Sequence, residues 1–194
     1  FDTTIVSHEF GHLVTQRLIG DGNGLLSNQS RGLGEGWSDF IAILTTLEAA
    51  DLQRPGNTDW HGAYVIGGHM VSPTGYDGAS LNAHYFGVRR FPYSTDFTRN
   101  ALTLKHIVSN VPLPTTAPAS PAGGGGPDNA QVHNTGEVWA SALWEGTTRV
   151  LRDPRFATFD AGKLRAQQIL VASLKATPVN PTFLEARDAV LMVA

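Results

Sequence analysis

The pattern of apolar and polar positions predicts a chain built mainly from helices. The first helix covers residues 3–19, with a capping residue among positions 2–4 and a stop at Gly20. A second helix is predicted from about Glu35 to Leu52, because apolar side chains recur there at helical spacing. Three later helices are predicted at about 134–151, at about 160–175, and from Asn180-Pro181, a cap followed by a first-turn proline, towards the end of the chain.

The segments between these helices are less regular. Residues 57–98 are rich in glycine, aromatic residues and histidine, and a short strand or hairpin near 60–67 is compatible with them. A helix of about three turns is predicted near 99–110. Residues 112–130 contain too much proline and glycine for a core element and predict a long surface loop. The predicted fold class is therefore mainly α, in one unit, with a long irregular and glycine-rich insertion region.

Composition narrows the classes of protein that the chain can belong to. With 194 residues, of which 41% are hydrophobic, the chain can bury one compact core. A net charge of −3 and the lack of any lysine or arginine run argue against nucleic acid and anionic membranes as partners. No apolar run reaches the ~18 residues that a membrane-spanning helix needs. The absence of cysteine excludes a disulfide scaffold and a thiolate metal site.

The segment HEFGH, residues 8–12, is the first candidate for chemistry. Residues four apart lie on the same face of a helix, so His8 and His12 can offer two imidazoles to one ion. Glu9 projects about 100° round the helix from His8, where it can take a proton from water without binding the ion. Zinc is the metal that this spacing binds in peptidases. The same pattern also arises by chance on helices whose histidines are ordinary surface or core residues.

A third ligand would distinguish a metal site from this coincidence. Thr15 and Leu18 stand where the extended pattern H-E-x-x-H-x-x-G-x-x-H requires glycine and histidine, which excludes that class. The segment GLGEGWSDF, residues 32–40, offers carboxylates instead: Glu35 can bind zinc while Asp39 accepts a hydrogen bond from the ring of a ligating histidine. The alternative is a pair of acidic residues favoured by a helix N-terminus.

These segments resemble the fungalysin family of secreted metallopeptidases, which are relatives of thermolysin in the gluzincin group. The resemblance rests on HEFGH with GEGWSDF, on GVRRFPYSTD at 87–96 and on VHNTGEVWASALWE at 132–145. It covers the chain to about residue 150 and implies the helical C-terminal lobe of a zinc-dependent endopeptidase. It also implies the roles of five residues: zinc ligands His8, His12 and Glu35, general base Glu9, and Asp39 as the hydrogen-bond acceptor of His8.

The downstream segments imply three further site residues. His133 matches a histidine that stabilises the oxyanion of the reaction, and Asp128 matches its carboxylate partner, which would hold the imidazole charged. Arg89 matches an arginine that contacts the substrate carbonyl, although the adjacent Arg90 could be the one that matters. The structural alternatives are a helix-start histidine that bonds the backbone and an arginine held by an acid. Tyr93 and the histidines of residues 57–98 are expected to be structural.

The resemblance also implies partners and a location. A β-rich lobe would precede the HEFGH helix and form the other wall of the cleft, and the precursor would carry an inhibitory propeptide and be secreted. The ligand would be one zinc ion and the substrate a peptide or protein; calcium is conceivable, but DGNG at 21–24 is too short to assign a site. Two features depart from thermolysin-like sequences: Gly34 replaces a frequent asparagine, and residues 20–33 contain no tyrosine donor.

Two rival functions remain open at this point. A gluzincin aminopeptidase also uses H-E-x-x-H with Glu-Gly on the next helix, but the continuation Trp37-Ser38-Asp39 and the downstream segments argue against it. A non-catalytic module that zinc only stabilises is the rival from another class. The intact set of ligands and Glu9 argues against a decayed protease.

Overall fold

The computed structural model describes residues 1–71, 83–120, 123 and 125–194. Helices dominate these residues, as the mainly α prediction requires. The α-helices are α1 (Thr3–Leu18), α2 (Asn28–Thr46), α3 (Gly68–Val71), α4 (Ala83–Phe86), α5 (Val132–Leu151), α6 (Phe159–Ala176) and α7 (Phe183–Val193). Short 3₁₀ helices cover Ala49–Gln53, Thr58–Trp60 and Leu104–Ile107.

Helix α1 begins at the predicted residue and ends at Leu18, one residue before the predicted end. Asp2 is the N-cap, and its carboxylate accepts a hydrogen bond from the backbone N–H of Thr4 at 3.0 Å. Ile19 is the C-cap, and Gly20 follows with φ of +65°, a left-handed conformation that glycine adopts at little cost. The helix therefore presents His8 and His12 on one face, one turn apart.

Helix α2 begins seven residues earlier than predicted and ends at Thr46 rather than Leu52. Ser27 caps it by accepting from the backbone N–H of Ser30 at 3.2 Å. Glycines inside its first turns weaken the local helical signal, because glycine is a poor helix former in isolation. As a result Glu35 lies about two turns inside the helix, so a preference of acidic residues for helix starts does not account for it.

The core forms around α2, which packs against both α1 and α5. Trp37, Phe40 and Leu44 of α2 are buried, and the Trp37 ring meets Trp139 of α5 edge-to-face at 5.6 Å between centroids. Trp144 of α5 is also fully buried. Helix α6 packs against α5, α7 packs against α6 and α2, and buried residues of both helices belong to the same core.

Glycines let α1, α2 and α5 approach closely. A Cβ atom on Gly11 of α1 would lie 2.7 Å from the Cα of Ser38 in α2. A Cβ atom on Gly136 of α5 would lie 2.7 Å from the Cβ of Glu35 in α2. Real Cβ atoms do not approach other atoms this closely. The three helices can therefore pack at these distances only because positions 11 and 136 carry no side chain.

Two predictions for the irregular region are wrong. Near 60–67 the described residues form no hairpin; Tyr64 instead makes an isolated antiparallel bridge with Tyr93. In place of a three-turn helix near 99–110 there is only the 3₁₀ helix Leu104–Ile107. The side chain of Asn100 explains the second difference, because its Oδ1 accepts from the N–H of Leu102 and replaces a helical backbone bond.

The last helix begins at Phe183, later than predicted, and Asn180 is not its N-cap. Thr182 is the N-cap of α7 and forms a capping box with Glu185. Asn180 takes a left-handed φ of +53°, and its Oδ1 accepts from the N–H groups of Leu26 and Ser27 at 2.6 and 3.1 Å. It therefore connects the C-terminal segment to the start of α2.

Helices α5 and α6 and the loop at 112–130 lie close to their predicted positions. The structure starts α5 and α6 one or two residues before their predicted positions. The described residues of the 112–130 loop contain no helix or strand, and residues 121, 122 and 124 lie outside the described part. No helix among the described residues combines the length and the apolar character needed to cross a bilayer.

Candidate metal centre

Three side chains that the sequence predicts as ligands converge between α1 and α2. The two Nε2 atoms of His8 and His12 are 3.1 Å apart. Glu35 places Oε2 at 3.4 Å from His8 Nε2 and Oε1 at 3.6 Å from His12 Nε2. Ligand atoms of a tetrahedral zinc ion with bonds of about 2.0–2.1 Å are separated by about 3.3 Å. The three side chains therefore already have the spacing of a tetrahedral metal site.

A hydrogen bond from Asp39 fixes the orientation of the His8 ring. His8 Nδ1 donates to Asp39 Oδ1 at 2.6 Å, so Nδ1 carries the proton and Nε2 faces Glu35 and His12. Burial opposes protonation of His8, but the bond to Asp39 and the nearby carboxylate of Glu35 outweigh it and raise the pKa of His8 to about 9. Protonation of the ring adds a second proton, at Nε2. A metal cation that binds Nε2 competes with this proton.

Asp39 is held by two further groups that come from the irregular region. Arg89 donates to it through Nε at 2.6 Å and Nη2 at 2.8 Å, and the hydroxyl of Tyr93 donates to its Oδ2. Asp39 is 1% exposed. Burial alone raises the pKa of its carboxyl, but the charge of Arg89 and the bond from His8 bring it well below its usual range. Asp39 is therefore an ionised acceptor for His8.

The environment of Glu35 fits a bound cation. Its Oε2 is buried and has no hydrogen-bond partner among the described residues, while His8 Nε2 and His133 Nε2 lie 3.4 and 3.3 Å away. Burial raises the pKa of Glu35, but the neighbouring histidines lower it overall. A buried carboxylate oxygen without a partner is costly, and a metal ion is the group that satisfies it together with two imidazoles.

Glu9 lies beside this cluster on α1 without taking part in it. Its side chain is exposed, and the structure gives it no hydrogen bond or ion pair within the described part of the chain. Val6, Phe10 and Leu13, on the same exposed side of α1, are 57%, 59% and 55% accessible. Glu9 is thus a carboxylate one residue from a ligand, open to whatever approaches the cluster.

His133 reaches the cluster from the first turn of α5. Its Nε2 is 3.3 Å from Glu35 Oε2, and its Nδ1 accepts from Gln131 Nε2 at 2.8 Å. This bond leaves the proton on Nε2, the atom that faces the cluster. Burial lowers the pKa of His133, with Glu35 opposing that effect. The structure therefore favours a neutral ring that donates from Nε2, rather than the charged ring expected from the sequence.

Asp128 is not the partner of His133 in this structure. Its Oδ1 accepts from the hydroxyl of Ser109 at 2.8 Å and from the N–H of Ala130 at 3.0 Å. The aspartate closes a turn of the loop, because a carboxylate readily bonds a backbone N–H two residues ahead of it. Gln131, the N-cap of α5, takes the place predicted for Asp128.

The structure separates the roles of the two adjacent arginines. Arg89 is 5% exposed, is bonded to Asp39, and has Nη2 4.0 Å from Glu35 Oε2. Arg90 points to the other side, where its Nε donates to Glu137 Oε2 at 2.8 Å and its Nη1 to Asn129 at 2.7 Å. Arg89 is thus the arginine next to the cluster. Both arginines are also held by an acidic residue, as the structural alternative predicted.

Sequence reasoning missed two residues of this site. Tyr93 was expected to be structural, yet its hydroxyl shares Asp39 with Arg89. Gln131 was not singled out, yet it sets the proton position on His133. Gln131 had little signal, because glutamine is not among the residues that usually cap a helix N-terminus. Tyr93 had none, because it is 54 residues from Asp39.

Two histidines and a glutamate on adjoining helices, with an exposed glutamate beside them, form the arrangement that is typical of metal-dependent hydrolases with the H-E-x-x-H pattern. A model of the fungalysin metallopeptidase family (M36) matches residues 1–194. The chain therefore belongs to the fungalysin metallopeptidases. This agrees with the resemblance carried by HEFGH and GEGWSDF.

Curated relatives of the chain are named as extracellular metalloproteinases. The chain is 32% identical over 201 residues to "Extracellular metalloproteinase MEP" of Pyricularia oryzae and 31% over 204 residues to "Extracellular metalloproteinase mep" of Aspergillus fumigatus. It is 29% identical over 205 residues to "Extracellular metalloproteinase MEP" of Fusarium vanettenii. The matches cover 96%, 98% and 98% of this chain but only 26% of each relative, so the chain spans 26% of their length.

Proposed function

We propose that the chain is the helical catalytic part of a zinc-dependent endopeptidase. The observation that carries this proposal is the spacing of His8, His12 and Glu35, with nitrogen and oxygen atoms 3.1 to 3.6 Å apart and a buried carboxylate oxygen without a partner. Membership of a metallopeptidase family and the HEFGH segment support the same function.

In this proposal His8, His12 and Glu35 hold one zinc ion. When bound, zinc acts as a Lewis acid that polarises the substrate carbonyl and makes water a stronger nucleophile near neutral pH. Asp39, held by Arg89 and Tyr93, keeps the single proton of a neutral His8 ring on Nδ1, so that Nε2 is the atom that can bind the ion. These groups shape the site before the substrate arrives.

Glu9 supplies the proton transfers. As an exposed carboxylate adjacent to His8, it takes a proton from the attacking water and later passes that proton to the leaving amine. His133 donates from Nε2 to the oxygen that becomes negative when water adds to the carbonyl. Arg89 is proposed mainly as a positioning residue for Asp39, and its substrate contact remains a prediction.

The rest of the enzyme is proposed from the family resemblance and from the length of the relatives. Residues 1–194 are one helical lobe, and a preceding β-rich lobe forms the other wall of the cleft. A propeptide that inhibits the precursor and secretion of the mature protein belong to the same proposal; the relatives are named extracellular. Asp128 keeps only a loop-closing role.

The metal content of the purified chain tests the site. Mass spectrometry should find one zinc per wild-type chain and a loss of zinc in Glu35→Ala, because a two-histidine site lacks the third ligand. Glu145→Ala, which removes an exposed glutamate that pairs with Arg149 at 3.6 Å, is the matched control and should keep its zinc. A folded wild-type chain that binds no zinc would contradict the proposal.

Two rivals are separated by activity of the full-length protein. An aminopeptidase cleaves peptides with a free amino terminus and spares blocked ones, whereas an endopeptidase cleaves both. A module that zinc only stabilises binds the metal but hydrolyses neither kind of peptide. Side-by-side hydrolysis of acetylated and free peptides of the same sequence therefore decides among the three functions.

A further inference from the structure

A pocket of about 300 Å³ opens directly beside the candidate metal centre. His12 and Glu35 contribute to its lining, so the pocket and the cluster share a wall. Apart from two glycines, the other lining residues are apolar or polar. The apolar ones are Leu25, Leu26 and Val132, and the polar ones are Gln16 and Arg31. A group that enters this pocket lies next to the bond that the centre would cleave.

Arg31 is the cation of this pocket. It lies in α2 one helical turn before Glu35, on the same face, and it is exposed. Its guanidinium makes no hydrogen bond or ion pair with any residue that the structure describes. Arg89 and Arg90, by contrast, are bonded to Asp39 and Glu137. Near the centre, Arg31 is the arginine whose guanidinium is open to a ligand.

We propose that Arg31 and this pocket form a subsite for a carboxylate of the peptide substrate, an inference that rests on the proposed peptidase function. A guanidinium pairs with a carboxylate through two parallel hydrogen bonds, and the leucine and valine side chains cover the methylene groups that lead to it. A lysine or arginine side chain would be repelled by Arg31. Glu35 does not compete, because its carboxylate is directed at His8 and His12.

Two sources of carboxylate share this chemistry. A glutamate or aspartate side chain near the scissile bond makes Arg31 a determinant of side-chain specificity. The C-terminal carboxylate of a short peptide makes it a determinant of where the enzyme cuts relative to the chain end. Peptides with free and with amidated C-termini distinguish the sources.

The test uses the full-length protein and the variants Arg31→Gln, Arg31→Lys and Arg31→Glu. Arg17→Gln is the matched control, because Arg17 is an exposed arginine of α1 that pairs with Asp21 at 3.1 Å and does not line the pocket. The substrates are blocked peptides that carry glutamate, glutamine or lysine at each position around the scissile bond, each with a free and with an amidated C-terminus. The measured quantity is the ratio of kcat/KM for glutamate and glutamine peptides, which cancels differences in active fraction.

At one position the wild type should prefer glutamate to glutamine, and Arg31→Gln should reduce that preference about three- to tenfold, mainly through KM. Arg31→Lys should retain part of the preference, Arg31→Glu should favour lysine, and Arg17→Gln should match the wild type. If the preference instead follows the free C-terminus, the terminal carboxylate is the ligand. Equal glutamate-to-glutamine ratios in wild type and Arg31→Gln at every position, with no dependence on the C-terminus, overturn the proposal. Absence of hydrolysis of all peptides by a zinc-loaded wild type shows instead that the proposed function has failed.

Discussion

At the scale of single residues, the candidate centre depends on where protons are held. His8 donates its Nδ1 proton to Asp39, and His133 accepts at Nδ1 from Gln131, so a neutral His8 ring presents a lone pair at Nε2 whereas His133 presents a proton there. Two histidines that face the same glutamate are thus prepared for opposite tasks. Their difference arises from the neighbours of each ring and not from the residue type.

The role of Glu9 is tested by Glu9→Gln in the full-length protein. This change keeps the size of the side chain and removes its ability to take a proton, so kcat should fall about 10²–10⁴-fold. Zinc content should stay at the wild-type level, because among the described residues the Glu9 side chain forms no hydrogen bond or ion pair with the three ligands. Steady-state kinetics and mass spectrometry give the two readouts.

Glu145→Gln is the matched control for this prediction. It removes one carboxylate from the exposed side of α5 and should leave kcat unchanged. Near-normal turnover by Glu9→Gln would remove Glu9 from the role of general base.

At the scale of elements, the centre depends on how closely three helices approach. The ligands come from α1 and α2 and the candidate oxyanion donor from α5, and glycines stand at the points of closest contact. Gly11 lies one residue before His12, so any outward movement of α1 at this position displaces a ligand from Glu35. Helix contact and metal geometry are therefore coupled.

Gly11→Ala tests this coupling. The new Cβ would lie 2.7 Å from Ser38 Cα, a backbone atom that cannot move aside easily. We expect a loss of about 1–3 kcal/mol in the free energy of unfolding of the chain. We also expect weaker zinc binding, because His12 moves with α1. Denaturant titration and competition with a chromophoric chelator measure the two effects.

Gly146→Ala is the matched control, since nothing lies within 4 Å of a Cβ at that exposed position of α5. It should stabilise the chain by up to about 1 kcal/mol through helix propensity alone. Equal zinc affinity in Gly11→Ala and wild type would show that the close contact of α1 and α2 does not set the ligand geometry.

At the scale of the whole molecule, a buried ion pair connects the irregular region to the core. Arg90 and Glu137 are 4% and 1% exposed; the N–H and the Nε of Arg90 both donate to the glutamate, at 2.6 and 2.8 Å. The same guanidinium donates to Asn129 and to the carbonyl of Asn134. Arg90 thus connects the irregular region to Asn129 at the end of the 112–130 loop and to Asn134 and Glu137 in the first turns of α5. Because Arg89 is the preceding residue, these bonds also help to hold it beside Asp39.

Glu137→Ala should destabilise the chain by about 3–5 kcal/mol, because it leaves the charge of Arg90 buried without a counter-ion. Urea titration of the purified chain measures this loss. Glu145→Ala, on the exposed side of the same helix, should change the free energy of unfolding by less than about 0.5 kcal/mol. A similar small effect of Glu137→Ala would show that the pair does not connect the irregular region to the core.

Much of the helical fold was accessible to sequence reasoning, and the irregular region was not. Helix α1 could be bounded from Asp2 and Gly20, because caps and stops act within a few residues of the chain. The start of α2 was misplaced because Gly32, Gly34 and Gly36 have low intrinsic helix propensity, and packing against neighbouring helices outweighs that preference. Asn100 misled the helix prediction near 99–110, since its side-chain bonds depend on Pro92, eight residues away.

The sequence by itself determined that His8 and His12 share a face with Glu9 beside them, because a helix repeats at 3.6 residues wherever it forms. It also indicated Glu35 and Asp39 as partners, through a second segment of recognisable pattern. Only the tertiary structure decided that Tyr93 and Arg89 hold Asp39, and that Gln131 rather than Asp128 sets the His133 ring. Contacts between residues 50 or 54 positions apart follow from how helices and loops pack, and that packing is a property of the whole chain.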